Sequence, residues 1–252
     1  MSGFPQPPLG LLWMLSLHFF GLLLLPVLLL FATARELYFV FFFRLGTIIW
    51  ADSFTKARSL ALKPINSLES HDPKLRAEGA LRVLEIGAGL GSNFKHVTRP
   101  IKYTNVDPNK QFGQAFVEEL KKHPKIELER WVHGYGEDMA QLATGHFDAV
   151  MFTYLLCSAK DGRRVLEEAK RVLCKGGHMI FLEHVAYPRD TWQRLLQHAM
   201  TPLWTIFCCN CHLNRESEKL IESVGFSQVT IRYVHVPLGI VINHQAYGIA
   251  VA

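Results

Sequence analysis

The run Glu85-Ile-Gly87-Ala-Gly89-Leu-Gly91 is the first place in this chain where residue types and spacing suggest chemistry. Glycines at alternate positions let a backbone turn tightly and approach a ligand with no Cβ in the way. Alone, G-x-G-x-G is a weak signal, because dinucleotide-binding proteins use the related G-x-G-x-x-G. An acidic residue stands two positions before the first glycine. Asp107 follows about 20 residues past the loop, where a carboxylate can accept from both hydroxyls of a ribose. Loop and carboxylate together point to a ribose-bearing cofactor; the structural alternative is a helix-capping Asp107 beside merely packed glycines.

These residues need a sheet to hold them, and the chain from Ala80 onward supplies one. Leu81 to Ile86 reads as a first strand, running directly into the loop, and Tyr103 to Asp107 as a second. A helix over Gln111 to Lys122 follows. Ile126 to Val132 alternates with period two, and Phe147 to Thr153 is apolar throughout. Arg163 to Leu173 is an amphipathic helix that the glycines of Cys174-Lys-Gly-Gly177 should end. His178 to His184 is a fifth strand. Helices are then expected over Thr191 to Phe207 and Asn214 to Val224, the latter closed by Gly225. Phe226 to Val236 and His244 to Ala252 should make an antiparallel pair at one sheet edge. Strands alternating with helices predict an α/β, doubly wound sheet with helices on both faces, whose ligands lie beyond the carboxyl ends of the strands.

Composition divides the chain. Hydrophobic residues make up 49% of it and charged residues 19%. Between Ser2 and Ala34 there is no Asp, Glu, Lys or Arg. Leu9 to Phe31 is long enough for a hydrocarbon core. No Lys or Arg precedes Arg35, which disfavours a cleaved signal peptide. A single spanning helix kinked at Pro26, a shallow hairpin bent near Gly21 or Pro26, and an interfacial anchor all remain open. Arg35, Arg44, Lys56, Arg58 and Lys63 follow the apolar segment and predict that the remainder of the chain faces the cytosol. The expected organisation is a membrane anchor over 1–60, a breaker-rich linker over 61–79 and a catalytic domain over 80–252.

The net charge of +5 carries no Lys/Arg run beyond pairs. A basic surface against anionic lipid explains it, and no nucleic-acid partner is expected. Five cysteines, an odd number, argue against a full disulfide framework. Cys208, Cys209 and Cys211 lack the paired spacing of a zinc site, so buried thiols and no metal are expected.

The pieces LRVLEIGAGLG (81–91), NVDPN (105–109), FDAVM (147–151) and RVLCKGG (171–177) resemble class I S-adenosylmethionine-dependent methyltransferases of the ubiquinone/menaquinone-methylase-like type. A narrower resemblance is to the membrane-associated thiol S-methyltransferases, also called methyltransferase-like protein 7. It is carried by GSNFK (91–95), GEDM (136–139), LLCS (155–158), EHV (183–185) and LNRES (213–217), with the apolar N-terminus, and so covers nearly the whole chain. It implies a Rossmann-like sheet and S-adenosylmethionine as cofactor. By the family pattern Glu85 orients the loop and the methionine ammonium region, while Gly87, Ala88 and Gly89 face the methionine and ribose. Gly91 and Thr153 join the cofactor contacts, Asp107 binds the ribose and Pro108 borders the adenine. Many relatives place an Asp where this chain has Tyr135. Adenine recognition is therefore expected from the Gly136 and Glu137 backbone, or from the Glu137 and Asp138 carboxylates.

The resemblance also implies small lipophilic alkyl or aryl thiols as acceptors, with a place on the endoplasmic reticulum membrane or lipid droplets. Base-methylating enzymes carry an Asp/Asn-Pro-Pro-Tyr/Phe tetrad after the fourth strand; here Thr153-Tyr-Leu-Leu156 stands there. His184, ending the fifth strand, is the candidate catalytic residue on the acceptor side, with a structural histidine as its alternative. Cys157 reads as a packed core thiol. The competing functions are a lipid or quinone O- or C-methylase, and a non-catalytic membrane protein on a vestigial methyltransferase fold.

Overall fold

The computed structural model describes residues 8–252. The first seven residues of the expected membrane segment lie outside the described residues. Among the described residues seven strands form one sheet: β1 (Leu81–Ile86), β2 (Ile101–Val106), β3 (Ile126–Val132), β4 (Phe147–Thr153), β5 (Leu173–His184), β6 (Gln228–His235) and β7 (His244–Val251). Their spatial order is β3-β2-β1-β4-β5-β7-β6. The first five run parallel, while β7 is antiparallel to β5 and to the edge strand β6. β1 and β4 are nearly wholly buried, and their apolar runs are what strands covered on both faces require. The strand order reverses between β1 and β4, which opens the crevice where such sheets bind ligands.

Expected and observed strands agree closely, with one instructive difference. The helix α7 (Gly162–Val172) stops before the glycines, at an extended Leu173. Gly176 and Gly177 lie instead within β5. Gly176 has φ +75°, and the pairing with β4 jumps from Phe147↔Leu173 to Ala149↔His178. The glycines let the chain loop out of register rather than cap a helix. The 61–79 segment is also more ordered than a plain linker. It holds a 3-10 turn at Lys63–Asn66 and a short helix, α5 (Pro73–Ala77). The buried Asp148 carboxylate fastens it to the sheet, accepting from Ser70 Oγ (2.7 Å) and from the His71 and Arg82 amides (both 2.8 Å).

The apolar N-terminus does not form one spanning rod. It breaks into α1 (Pro8–Leu23), α2 (Leu25–Leu30), α3 (Ala32–Ile49) and α4 (Ala51–Leu62). Pro26 sits in the first turn of α2, where its missing N–H is harmless, and the helix is interrupted just before it, at Leu24. Among the described residues no single helix is long and apolar enough to cross a membrane. One pair, Ala32–Ile49 with Ala51–Asn66, has the length and composition but is bent by 88°. α3 folds back on α1: Trp13 Nε1 donates to the Phe42 carbonyl (2.9 Å), and Tyr38 OH donates to the Leu17 carbonyl. The rings of Tyr38 and Phe207 then meet at 6.1 Å, docking these helices on α8 (Trp192–Phe207) of the main domain.

Candidate functional site

The site is built where β1 ends. Gly87 and Gly89 take φ of +75° and +54°, angles that side chains rarely tolerate. Asp107, one residue beyond β2, fixes the loop they form. One carboxylate oxygen accepts from the Gly89 amide and the other from the Asn109 amide, each at 2.9 Å. Burial raises the Asp107 pKa, and those two amides work against that rise. Each oxygen keeps a lone pair for a ligand hydroxyl.

A cavity of about 580 Å³ opens above this loop, and its wall includes Gly87, Ala88, Gly89, Asp107, Pro108, Gly136, Glu137 and Thr153. Two of the expected cofactor residues, Glu85 and Gly91, do not line it. Glu85 is fully buried beneath, accepting from Asn93 Nδ2 (2.7 Å) and Tyr103 OH (2.5 Å). Burial pushes its pKa up to about 7 against those hydrogen bonds and the charge of Arg58. It reaches the cavity only through Asn93, which does line it and also contacts Thr153 Oγ1 at 3.2 Å. Gly91 underlies the loop: a Cβ there would come within 2.6 Å of the Phe94 ring.

The Glu137 carboxylate is already engaged, accepting from the Lys160 and Asp161 amides at 2.7 and 3.3 Å. Asp138 caps the Ala140 amide and lies outside the cavity wall. Tyr135 stands on the wall under the Lys160 ammonium, 4.6 Å from its ring centre.

Two wall residues carry functional signals that sequence reasoning missed. Arg58 of α4 looked like a surface charge following the apolar segment, yet it is 4% exposed. Its guanidinium lies over the rings of Phe54 (5.0 Å) and Tyr154 (5.4 Å), and its Nε has no hydrogen-bond partner. Among the described residues no carboxylate stands within ion-pair distance of it, and burial lowers its pKa. The guanidinium thus faces the cavity as a buried cation with no ion-pair partner. Tyr154 has φ +59°, a conformation that costs a non-glycine residue about 1–3 kcal/mol. Its OH donates to Gln245 Oε1 (2.9 Å), and its ring stacks on His184 at 6.4 Å.

His184 does not line the first cavity. It lines a second, apolar one of about 110 Å³, walled by Trp13, Phe42, Gly46 and Trp50 of the N-terminal helices and by Trp204 and Phe207 of α8. The two cavities share Phe39, Phe43, Tyr154 and Ser158 as wall residues. His184 Nε2 lies 3.2 Å from Cys211 Sγ, and Nδ1 has no partner. Burial opposes charging of this imidazole, but Cys157 and the Glu183 carboxylate outweigh it and raise its pKa. Glu183 itself is pushed up to about 7 by burial while accepting from the Leu155, Leu156 and Cys157 amides.

Comparison with known proteins gives one consistent family. A family model described as a methyltransferase domain matches residues 84–181. Human thiol S-methyltransferase TMT1A is 37% identical over 174 residues, which cover 69% of this chain and 71% of that protein. Rat thiol S-methyltransferase TMT1B is 38% identical over 151 residues, 60% of this chain and 62% of that one. Among solved structures, a SAM-dependent methyltransferase of Thermotoga maritima superposes with a TM-score of 0.56 at 17% identity. That superposition covers 86% of this chain and 99% of the other, a likeness of fold.

Proposed function

Because this chain belongs to the thiol S-methyltransferase family, we propose that it transfers the methyl group of S-adenosylmethionine to the sulfur of small lipophilic thiols. The observation that carries the reading is the pair of cavities with a shared wall: a mixed one over the glycine loop, with Arg58 and Asp107 among its apolar walls, and an apolar one reaching His184.

The residues of the first cavity fit the cofactor. Arg58, the unpaired buried cation, holds the methionine carboxylate. Asp107 holds the ribose hydroxyls, Gly87 and Gly89 allow close backbone approach, and Pro108 with Gly136 and Glu137 borders the adenine. When bound, the cofactor supplies an electrophilic methyl on a sulfonium. The protein's own contribution is alignment and dryness. An acceptor thiolate attacking a sulfonium neutralises charge, so excluding water favours the transition state. The aromatic walls of the second cavity exclude water, and His184 lines it on the side where the acceptor's sulfur would lie.

The same reading places the chain on the cytosolic face of the endoplasmic reticulum membrane or a lipid droplet. Most of its exposed large apolar side chains fall between Leu12 and Ile48, on helices whose other faces form the acceptor cavity. Such a face suits helices lying in the interface plane, and a lipophilic thiol would then enter from the lipid. Arg35 and Arg58 face the first cavity, so Arg44, Lys56 and Lys63 are the charges left to meet anionic headgroups.

The test is turnover. Full-length protein in detergent micelles, given methyl-labelled cofactor and an alkyl thiol, should form the labelled methyl thioether. Label appearing only in a lipid or quinone extract offered in parallel would overturn the thiol assignment.

A further inference from the structure

We propose that Cys157, His184 and Cys211 hold a zinc ion whose fourth coordination position opens on the apolar cavity and takes the sulfur of the acceptor. The position of the acceptor rests on the thiol-methylation reading above; the metal site rests on the residues alone.

The three side chains come from separate parts of the chain: the segment after β4, the end of β5 and the segment after α8. The fold stitches them together. Glu183 gathers the amides of Leu155, Leu156 and Cys157, at 2.6, 3.0 and 3.4 Å. The His212 amide donates to the Cys157 carbonyl (2.8 Å), and Asn210 Nδ2 donates to the Ser158 carbonyl (2.8 Å). Cys209 and Asn210 both adopt left-handed angles, φ +46° and +69°, turning Cys211 back toward β5. Such strain outside glycine persists where the surroundings hold it in place, and it clusters at functional sites.

The result is one nitrogen and two sulfurs whose ligand atoms all lie within 4.8 Å of one another, on residues only 2%, 5% and 8% exposed. Ligands around tetrahedral zinc stand about 3.5–3.8 Å apart, given bonds of about 2.0 Å to nitrogen and 2.3 Å to sulfur. Small side-chain rotations close that difference. Two thiols and an imidazole select a soft or borderline ion over magnesium or calcium. A Cys2His set with the fourth position open is a catalytic rather than a structural arrangement. The imidazole already turns Nε2 toward the thiols, 3.2 Å from Cys211 Sγ, so the nitrogen that would bind the ion faces the cluster. All three residues line the apolar cavity, so a vacant coordination position there faces the acceptor.

Zinc answers a difficulty in the reaction. A free thiol has a pKa of about 8.5, whereas a thiol coordinated to zinc is deprotonated outright. The acceptor's S–H proton passes to the solvent molecule that its sulfur displaces from the fourth position, and leaves the cavity with it. That sulfur then forms its bond to the methyl carbon while the methyl–sulfonium bond breaks, and the bonding pair stays on the cofactor's sulfur. The product thioether is neutral and a poorer ligand, so it leaves and the position is regenerated.

A second cluster, His71, Asp148 and Cys174, serves as the internal control. His71 is exposed, and the Asp148 carboxylate is consumed by three hydrogen bonds. Full-length protein purified in detergent should retain one equivalent of zinc by plasma mass spectrometry. Cobalt exchanged into it should show thiolate-to-metal charge-transfer bands, and a small alkyl thiol should shift the visible cobalt bands. Cys157→Ser and Cys211→Ser should lose the metal, and Cys174→Ser should keep it, with melting temperature reporting whether each variant folds. The cobalt spectrum of the unmutated protein decides the matter if the cysteine variants do not fold. The site is overturned by absence of charge-transfer bands, by metal loss in Cys174→Ser alone, or by a Cys157–Cys211 disulfide in the purified chain. Cobalt bands that ignore the added thiol overturn the fourth-position claim. Stoichiometric zinc with no thioether formed would sink the thiol reading and leave the site standing; thioether formed by metal-free protein would do the reverse.

Discussion

Replacing Arg58 with Met should move two measurements in opposite directions. Arg58 is buried with no carboxylate in ion-pair range, and its compensation is two ring faces at 5.0 and 5.4 Å. Cation–π contacts offset about 0.5–2 kcal/mol, less than the several kcal/mol by which burying an ion is disfavoured. Methionine fills similar volume with no charge, so the ligand-free variant should be more stable, by about 1–4 kcal/mol. Cofactor binding should suffer, because a carboxylate entering the cavity loses its cation. Hydrogen bonds to charged groups are worth about 1.5–3 kcal/mol, which corresponds to a roughly 10- to 150-fold weaker Kd. Calorimetry with S-adenosylhomocysteine measures that loss. Methylthioadenosine, which keeps the adenosine and lacks the carboxylate, supplies the control and should bind both proteins alike. An equal loss for the two ligands would refute the carboxylate assignment, since Arg58 would then be shaping the cavity rather than reading an anion.

Asp107→Ala removes the ribose acceptor and orphans the Gly89 and Asn109 amides, so cofactor affinity should fall by about 1–3 kcal/mol in calorimetry. Unchanged affinity would place the ribose elsewhere. Gly46 lines the apolar cavity in mid-helix, and a Cβ there would sit 3.4 Å from Trp13. Gly46→Leu should therefore raise KM for an alkyl thiol at least tenfold while cofactor affinity stays put; an unaltered KM would mean that acceptors bind outside this cavity. Glu85 and Glu183 are both raised by burial to about 7 in the folded protein. The folded state then holds protons that the unfolded state releases near pH 4.5, so stability should fall as pH rises from about 4.5 to about 7. The size is on the order of 3 kcal/mol per group. Melting temperature in micelles should follow that slope and lose about half of its steepness in Glu183→Gln; a rise over the same interval would contradict the burial argument.

The sequence made the strands and the loop readable because those segments answer to local rules. β1 and β4 are apolar on both faces, and the loop glycines sit where backbone geometry admits little else. Asp107 was found by distance along the chain alone. Arg58, Tyr154 and Cys211 were not, since what makes each functional is another part of the chain. Arg58 becomes an anion site only because α4 buries it against Tyr154. Cys211 becomes a ligand candidate only because Glu183 and His212 draw the Cys157 segment beside it. The second half of the zinc spacing that the cysteine cluster lacked lies more than 25 residues away, on other elements.

The N-terminal segment shows a different limit. Apolar side chains around the whole circumference of a helix are the usual mark of a span, because lipid on all sides asks for nothing polar. In this chain only part of the circumference meets protein. Trp13, Leu17, Tyr38 and Phe42 turn inward to α8 and the acceptor cavity, while Leu15, Phe19, Leu30 and Phe41 remain outside. Composition cannot distinguish a protein neighbour from a lipid one, so the cavity-lining side chains of these helices are not separable in sequence from the exposed ones. The extended Phe31 and the return of α3 onto α1 separate the two. They also couple the two faces: any substitution that loosens these helices from α8 should disturb the apolar cavity and the exposed apolar surface together.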